Sequence, residues 1–549
     1  MKSKFLLFLF AFFSLFNLSY SQFTPNGCLT DVYMGAYGYW DYQSTGSLQS
    51  VEQDYNIYTN YHAIFLTADS VLSNPQKRVL YFFSSDDGNN WVHVQVSNYQ
   101  ASFPALALQT DGRAIICFHD STASKIRVFR SQASGSLVFD SLPSPPGNGG
   151  EFPKMLYYNN YLIMFAVFQG SPYNQIKKNR YNFLTGLWES WQDVGVNNGT
   201  SSYQAAKSTN GKVGICWIGD STYKRVKYIE SLDSGNAFGT TNTIFSGEIA
   251  GGDTVRPFKH IDMVYYPGIG DLPCITFDGI ARILPVGGQP GVRKYYHNPK
   301  IYFWNQNVGI RTVADTNNYF YGGIPGRNTD VSMGADWTPL CGPAIGYSQN
   351  TLLYIMYSGT VMVNPPPYNN YWYDSDLYGV ISFDGSTWQP VPGHIPGPTE
   401  DARHVSMVKR NLNFAEYAVV YQRDLFPGSY RLGDTTAITR AYPEFNRFFT
   451  FIHVVHIDYL SQQYYLFQNY PNPFNSSTKI EFGLQKAGHV QVKIYNVAGK
   501  QVAILGDQNL LPANYAVFFD GTNYPSGVYF YTLYVDGSLT DTKKMVLVK

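Results

Sequence analysis

Charge is scarce in this chain, so the places where it gathers are informative. Of 549 residues, 14% are Asp, Glu, Lys or Arg, against about a quarter in ordinary soluble domains. Glu151, Asp253, Arg256, Asp401, Arg403 and His404 nonetheless fall at or just before the openings of strand-like runs, with Ser102, Ser202 and Glu400 beside them. Lys154, Lys259 and His260 lie just inside the same runs. Carboxylates so placed, such as Glu151 with Asp253 or Asp401, are candidates for paired acid and base work, one giving a proton while another takes one. Arg256 and Arg403 offer planar forks that fit a carboxylate bidentately. With Lys154, Lys259, His260 and His404 they make a candidate ligand-binding set. The plain alternative is that loop mouths are polar because they are wet. Other catalytic patterns are lacking: the sequence holds no HExxH, GxSxG or Walker motif. His119 beside Asp120 is a weak pair, and His453 and His456 fall on opposite faces of one strand. None of the five cysteines has a metal-ligand spacing. Neither a metal nor a cofactor is expected.

The elements that must position these residues are β-strands. Aromatics reach 17%, with 46 Tyr, beside 49 Gly and 30 Pro, a composition suited to short strands and tight turns. Gly112–Thr122 and Gly211–Thr222 are near-copies, both passing through a cysteine, Cys117 and Cys216. The run Tyr161–Phe165 falls midway, so the period is about 50 residues, within the range of propeller repeats. Opening strands are expected near residues 52, 103, 152, 203, 257, 343 and 404, several of them at a Pro corner. That predicts an all-β fold, a β-propeller of seven blades with six as the alternative. Thr30–Asp41 is expected to pair with a terminal strand near Phe449–Ile457 and close the ring. Equivalent positions in separate blades argue against a Cys117–Cys216 bridge, so buried free thiols are expected.

A recurring turn follows the third strand of each repeat unit. Ser84-Ser85-Asp86-Asp87-Gly88-Asn89-Asn90-Trp91 reads Ser-x-Asp-x-Gly-x-x-Trp, and Ser231, Asp233, Gly235 and Phe238 repeat it with Phe for Trp. This pattern resembles the Asp-box of sialidase-like (BNR-repeat) β-propellers. The resemblance implies a structural role: Gly in the positive-φ corner, Ser and Asp accepting turn N–H groups, the aromatic packing on the blade. A sialidase also needs three arginines, a Tyr nucleophile with a Glu partner and an acid/base Asp. Arg256 and Arg403 supply two of the arginines, with Arg282 or Arg293 as a conceivable third, but the family's Arg-Ile-Pro tripeptide is absent. Box and blade are therefore expected without the full sialidase chemistry.

The two ends of the chain speak of export. Met1-Lys2-Ser3-Lys4, an apolar run from Phe5 to Leu18 and the small residues around Ser19–Ser21 make a secretory signal over 1–21. No later apolar run is long enough for a transmembrane span. Residues 22–458 are read as the propeller, 459–465 as a linker and 466–549 as a small Ig-like β-sandwich with clear period-2 alternation. Asn469, Pro471, Asn472, Pro473 and Phe474 open that block, Gly499 follows in a Tyr-Asn-x-x-Gly turn, Gly527 in Pro-Ser-Gly-Val-Tyr, and Lys543-Lys544-Met545-Val546 closes it. The block resembles the type A C-terminal sorting domain of the type IX secretion system of Bacteroidota. That implies Sec export to the periplasm, then recognition of residues 466–549 by the outer-membrane translocon and delivery outside the cell or to its surface. Formal net charge is zero, with 39 basic and 39 acidic residues and no basic run, so nucleic acid is not an expected partner. The expected function is binding of glycans or surface proteins, and the alternative is an extracellular glycoside hydrolase or lyase at the channel mouth.

Overall fold

The computed structural model describes residues 49–549 apart from internal segments, of which 286–293, 316–328, 331–339, 364–371, 391–400 and 425–440 are the longest. The expected pairing of Thr30–Asp41 lies outside the described residues. The chain divides into two compact units, Met1–Phe448 and Phe449–Lys549. Among the described residues, regular structure is almost wholly β, with one short 3-10 turn at Pro267–Ile269.

Among the described residues of the first unit, seven mainly antiparallel sheets follow one another along the sequence, the sixth with one short parallel pairing of Tyr347 and Ser348 with Arg410 and Asn411. Their opening strands are β1 (Val51–Gln53), β2 (Ala101–Leu108), β3 (Gly150–Tyr158), β4 (Tyr203–Lys207), β5 (Asp253–Tyr266), β6 (Leu340–Ser348) and β7 (Asp401–Met407). All seven expected opening positions fall within these strands or, for 203, at the strand's first residue. The fifth sheet carries an inserted three-stranded sheet built from Arg282–Pro285, Lys294–His297 and Thr329–Asp330.

The sheets pack face against face, because runs such as Ala114–Asp120 and Val213–Gly219 are buried along their whole length and need apolar cover on both sides. Separate clusters fill the spaces between neighbours. Ile64, Tyr81, Leu106 and Phe118 lie between the first and second sheets, and Phe165, Ile176, Ile215 and Trp217 between the third and fourth. The last sheet returns to the first: Val408, Ala418, Val420 and Phe445 pack with Val51, Tyr61 and Phe82. The Ser50 N–H donates to Ser406 Oγ at 3.1 Å across the same seam. Packing of sheet on sheet thus joins the two ends of the series. Cys117, Cys216, Cys274 and Cys341 are buried free thiols.

The Ser-x-Asp-x-Gly turns serve as joints between sheets. Gly88 N–H donates to Ser84 Oγ at 2.9 Å, and Asn90 N–H to Asp86 Oδ1 at 2.9 Å. The Ser231 turn repeats both bonds, at 3.0 Å to Ser231 Oγ and 2.8 Å to Asp233 Oδ1. Each turn glycine sits against the preceding sheet: Gly88 on Phe445, Gly135 on Phe83, Gly235 on Ile163 and Gly385 on Phe303. The aromatics follow, with Trp91–Phe445 at 5.0 Å, Phe238–Phe165 at 6.2 Å and Trp388–Phe303 at 4.9 Å between centroids. Gly88 has φ +76°, and a Cβ there would lie 2.1 Å from the Phe445 ring. Gly88→Ala should therefore cost more than the about 1–2 kcal/mol of the left-handed backbone alone. Gly147→Ala, at φ +81° with nothing within 4 Å, should cost only the backbone share. Comparing their urea midpoints checks this.

The second unit has two four-stranded sheets around one core that includes Phe474, Ile480, Val492, Tyr531 and Met545. Val455–Asp458 pairs here, with Ala513–Asp520, instead of closing the first unit as the sequence reading expected. In the sandwich it takes the edge beside Ala513–Asp520, while among the described residues sheet packing and the Ser50–Ser406 bond bridge the first unit's seam.

Candidate functional site

Of the nominated residues at the openings of the strands, Glu151, Arg256, Lys259 and His260 have described side-chain or backbone bonds. Glu151 Oε2 accepts a 3.3 Å bond from Gln169, and the Arg256 guanidinium donates to the Ser246 carbonyl at 3.2 Å, both in exposed surroundings. Asp253 opens the strand Asp253–Tyr266, and Asp401, Arg403 and His404 lie in Asp401–Met407, with Asp401 opposite Asp424 and Arg403 opposite Gln422. His260 is buried, its Nδ1 2.5 Å from Asp278 Oδ2, while the N–H groups of Lys259 and His260 both donate to Asp278 Oδ1. Burial alone would raise the Asp278 carboxyl; the His260 ring and these N–H groups outweigh it and hold it below the usual carboxylate range.

Aromatic rings occupy the same end. Phe103 and Phe152 pair at 4.0 Å between centroids, each at positive φ, +53° and +51°, uncommon for bulky residues. The Tyr203 hydroxyl donates to the Phe152 carbonyl at 2.6 Å, and Lys224 and Lys259 sit over the Phe258 ring.

Charge converges instead from the middle of the opening strands to their far ends. Lys154, from the middle of β3, is buried and within electrostatic range of Asp262 in β5 and of Lys409 just after β7. Asp262 is fully buried, and its carboxylate takes the Met263 N–H and the Ile345 N–H, each at 2.8 Å, and the Lys409 ammonium. One carboxylate thus ties the fifth, sixth and seventh sheets. Gln49, ahead of β1, spans to β3: Met155 N–H donates to its Oε1 at 2.9 Å and its Nε2 to the Met155 carbonyl at 3.3 Å. Toward the strand ends lie Glu52, Tyr55, Lys207 and Arg410. Lys207 closes β4; its ammonium donates to the Tyr157 carbonyl at the end of β3 and lies 4.9 Å from the Tyr55 ring centroid. Glu52, Tyr55 and Lys207 are partly exposed and Arg410 exposed, so this end meets solvent.

The electrostatics follow from this geometry. Burial pushes the Glu52 carboxyl up to about 7, against the pull of Lys207 and Lys409. Burial likewise pushes Lys207 down to about 8, against Glu52, and Lys154 down to about 8, against Asp262. The Cys117 thiol, near Lys154, is pushed well up by burial and is inert. A folded-state Glu52 value above its free 4.5 means that unfolding releases a proton between about 4.5 and 7, so this group's contribution to stability falls as pH rises through that window. Lys207, held below its free 10.5, binds fewer protons folded than unfolded between about 8 and 10.5, and its contribution recovers there. Glu52→Gln should flatten the acid-side fall, read from urea unfolding of wild type and variant between pH 4.5 and 7.

In the second unit the motif residues hold the sandwich together. Asn469 is buried, donating to Pro471 O at 3.0 Å and Thr478 Oγ1 at 2.9 Å, while its N–H reaches the Tyr531 hydroxyl at 2.7 Å. Asn472 Oδ1 accepts the Val546 N–H at 2.9 Å, and Pro473 leads into Phe474, which enters the core. Asn496 Oδ1 accepts the Ala498 and Lys500 N–H groups around Gly499, at φ +72°, and Gly527 opens the strand Gly527–Val535. Residues 468–549 match the secretion system C-terminal sorting domain family. This block is a sorting domain. A sorting domain of this kind implies secretion of the chain that carries it. No curated protein matches the chain.

Several solved structures are similar in outline. A fungal alcohol oxidase of the AA5 family in complex with copper is 11% identical, covering 92% of this chain and 98% of its own, at a TM-score of 0.41. An ulvan lyase of polysaccharide lyase family PL25 is 8% identical over 75% of this chain and 94% of its own, at 0.46. The α-L-arabinofuranosidase Arb93A of Fusarium graminearum is 15% identical over 63% of this chain and 96% of its own, at 0.38. Likenesses this distant leave activity and substrate open.

The sequence reading named Lys154 but missed Glu52, Lys207, Asp262, Lys409 and Arg410. The signal available was a charged residue interrupting an apolar opening strand, as Asp262 does within Ile261-Asp262-Met263-Val264.

Proposed function

We propose that the protein is an exported, seven-bladed β-propeller that binds a glycan or a surface protein along its axis, and that its sorting domain delivers it through the type IX system. On this reading residues 1–21 are a cleaved signal for the Sec step, the Ser84–Trp91 and Ser231–Phe238 turns are Asp-boxes, and the sandwich is Ig-like. The observation that carries the binding site is the gathering of Glu52, Lys154, Lys207, Asp262, Lys409 and Arg410 from five sheets. Lys154 and Asp262 are buried there, and buried ions are costly unless they are paired or used. Incubating the mature chain on a glycan array, with surface-protein capture in parallel, tests the reading. Binding that Glu52→Gln and Lys207→Met weaken supports it; binding indifferent to both sinks it.

A second reading is favoured by one arrangement, Glu52 within electrostatic range of Lys207, which sits over the Tyr55 ring. Asp262, the other carboxylate of the cluster, is already engaged by Lys409 and two N–H groups. An enzyme here would lean on a single carboxyl working with Lys207 or Tyr55, and proton abstraction suits that better than the two-carboxylate glycosidase scheme. Incubation with oligosaccharides, followed by mass analysis for hydrolysed or eliminated products, separates the two readings.

A further inference from the structure

Two Asn-Gly pairs lie among the described residues, Asn148-Gly149 and Asn210-Gly211. Such a pair is open to attack from within, because glycine has no side chain to shield its backbone nitrogen from the neighbouring amide carbon. Both asparagines are exposed, yet their surroundings differ. The Asn210 turn is braced. Its Nδ2 donates to Asp271 Oδ2 at 3.2 Å and its N–H to Ser208 Oγ at 3.1 Å, and the Lys212 N–H meets the same hydroxyl at 3.0 Å. Gly211 is buried, and its carbonyl accepts the Ser234 N–H at 3.1 Å. A Cβ on Gly211 would lie 2.9 Å from the Tyr158 hydroxyl. Swinging the Gly211 nitrogen onto the Asn210 side chain would disturb all of these contacts. Asn148 is the opposite case. Among the described residues no hydrogen bond holds its side chain. It lies between Gly147 at φ +81° and Gly149 at φ +89°, and a Cβ on either glycine would find nothing within 4 Å. One bond restrains the attacking nitrogen, from the Gly149 N–H to the Ser124 carbonyl at 2.9 Å. Ser124 stands in an exposed turn, where water competes for that bond.

We propose that Asn148 is a site of spontaneous deamidation in the folded protein, and that its turn protects Asn210 from the same reaction. The Gly149 nitrogen attacks Asn148 Cγ and forms a C–N bond, and the side-chain amide leaves as ammonia with the Gly149 proton. Water then opens the cyclic imide at one of its two carbonyls, giving aspartate or isoaspartate. Either product adds a negative charge to a chain whose formal charge is zero. Isoaspartate also inserts a methylene into the main chain just ahead of β3, close to Gly150, whose carbonyl accepts from His119 Nδ1 at 2.9 Å. The mark falls at the opening of the third sheet, away from the strand ends that hold Glu52, Lys207 and Arg410.

Peptide mapping by mass spectrometry, after incubation of the mature chain in mildly alkaline buffer, tests this. Trypsin releases Asn148 within residues 131–154 and Asn210 within residues 208–212, so one digest reads both sites. A parallel sample unfolded in guanidinium chloride sets the intrinsic rate, and incubation runs until both of its sites have half converted. In the folded chain Asn148 is expected to convert about tenfold or more faster than Asn210, which must first give up hydrogen bonds that Asn148 never made. Isoaspartate should appear in the 131–154 product, as the mark of the imide route. Asn148→Gln should abolish conversion in that peptide at an unchanged melting temperature. Asn210 converting as fast as Asn148 in the folded chain overturns the protection assigned to its turn. Asn148 converting at least about tenfold more slowly folded than unfolded means that the Ser124 bond holds its nitrogen, and overturns the proposal. A product free of isoaspartate overturns the imide route.

Discussion

Deletion of residues 468–549 is expected to keep the protein inside the cell envelope of a bacterium that exports by the type IX route. The sorting domain holds the only export information recognised in the second unit, and its motif residues are built into its core and turns: Asn469 under Tyr531, Phe474 in the core, Asn496 around Gly499. Fractionation and immunoblotting of wild type and truncation check it, with nearly all of the truncated chain expected in the cell-bound fraction. Equal amounts outside the cell would contradict the assignment. A gain-of-export arm removes the ambiguity of a misfolded truncation: the sorting domain is placed behind a reporter that is otherwise retained. The structure also says where to cut. Val455–Asp458 is an edge strand of the sandwich, paired with Ala513–Asp520. A fusion beginning at Phe449 therefore keeps a strand that one beginning at 468 lacks, and should melt higher and accumulate to higher levels.

The largest loss of stability from a single side chain in the first unit is expected at Asp262. Its carboxylate is fully buried, accepts N–H groups from Met263 and Ile345, and meets the Lys409 ammonium. Asp262→Ala would leave two backbone donors and a largely buried ammonium without their acceptor, in three different sheets. Breaking a buried pair from one side typically costs about 3–5 kcal/mol, and the two N–H groups add to it. Asp262→Asn keeps one acceptor oxygen and should cost less. Urea unfolding of both variants checks the ranking. A loss below about 1 kcal/mol for Asp262→Ala would mean that the sheets do not depend on this tie.

Much of the first unit was legible because its signals are local. A Pro corner, an apolar run and a Ser-x-Asp-x-Gly turn are each written in fewer than ten consecutive residues, and they recur, so the opening strands could be placed near their observed positions. The joint made by each turn was half legible. Ser84, Asp86 and Gly88 announce their own hydrogen bonds, but nothing local says that Gly88 and Trp91 rest on Phe445, more than 350 residues away. The candidate site was the least legible part. It is assembled from single residues near the middles and ends of strands in separate sheets, and each alone looks like ordinary strand polarity. The sequence reading looked at strand openings, where charges are frequent, and there the structure also places the Phe103–Phe152 pair and ties His260 to Asp278. Lys154 was found because it follows a Pro corner. Lys207 and Arg410 were missed because their meaning depends on Tyr55, which only tertiary structure brings alongside. The terminal strand was misassigned for a related reason: Val455–Asp458 alternates as well for one unit as for the other, and only the register against Ala513–Asp520 decides.

The central claim is that the axial cluster, at the end where the opening strands finish, is the ligand site. Hydrogen-exchange mass spectrometry of the mature chain, with and without a saccharide that it binds, tests this most directly. The account predicts added protection in the segments holding Glu52–Tyr55, Lys207 and Lys409–Arg410, with little change around Glu151–Lys154 or Arg256–His260. Protection confined to those two strand openings, with none at Glu52–Tyr55 and Lys409–Arg410, would contradict it.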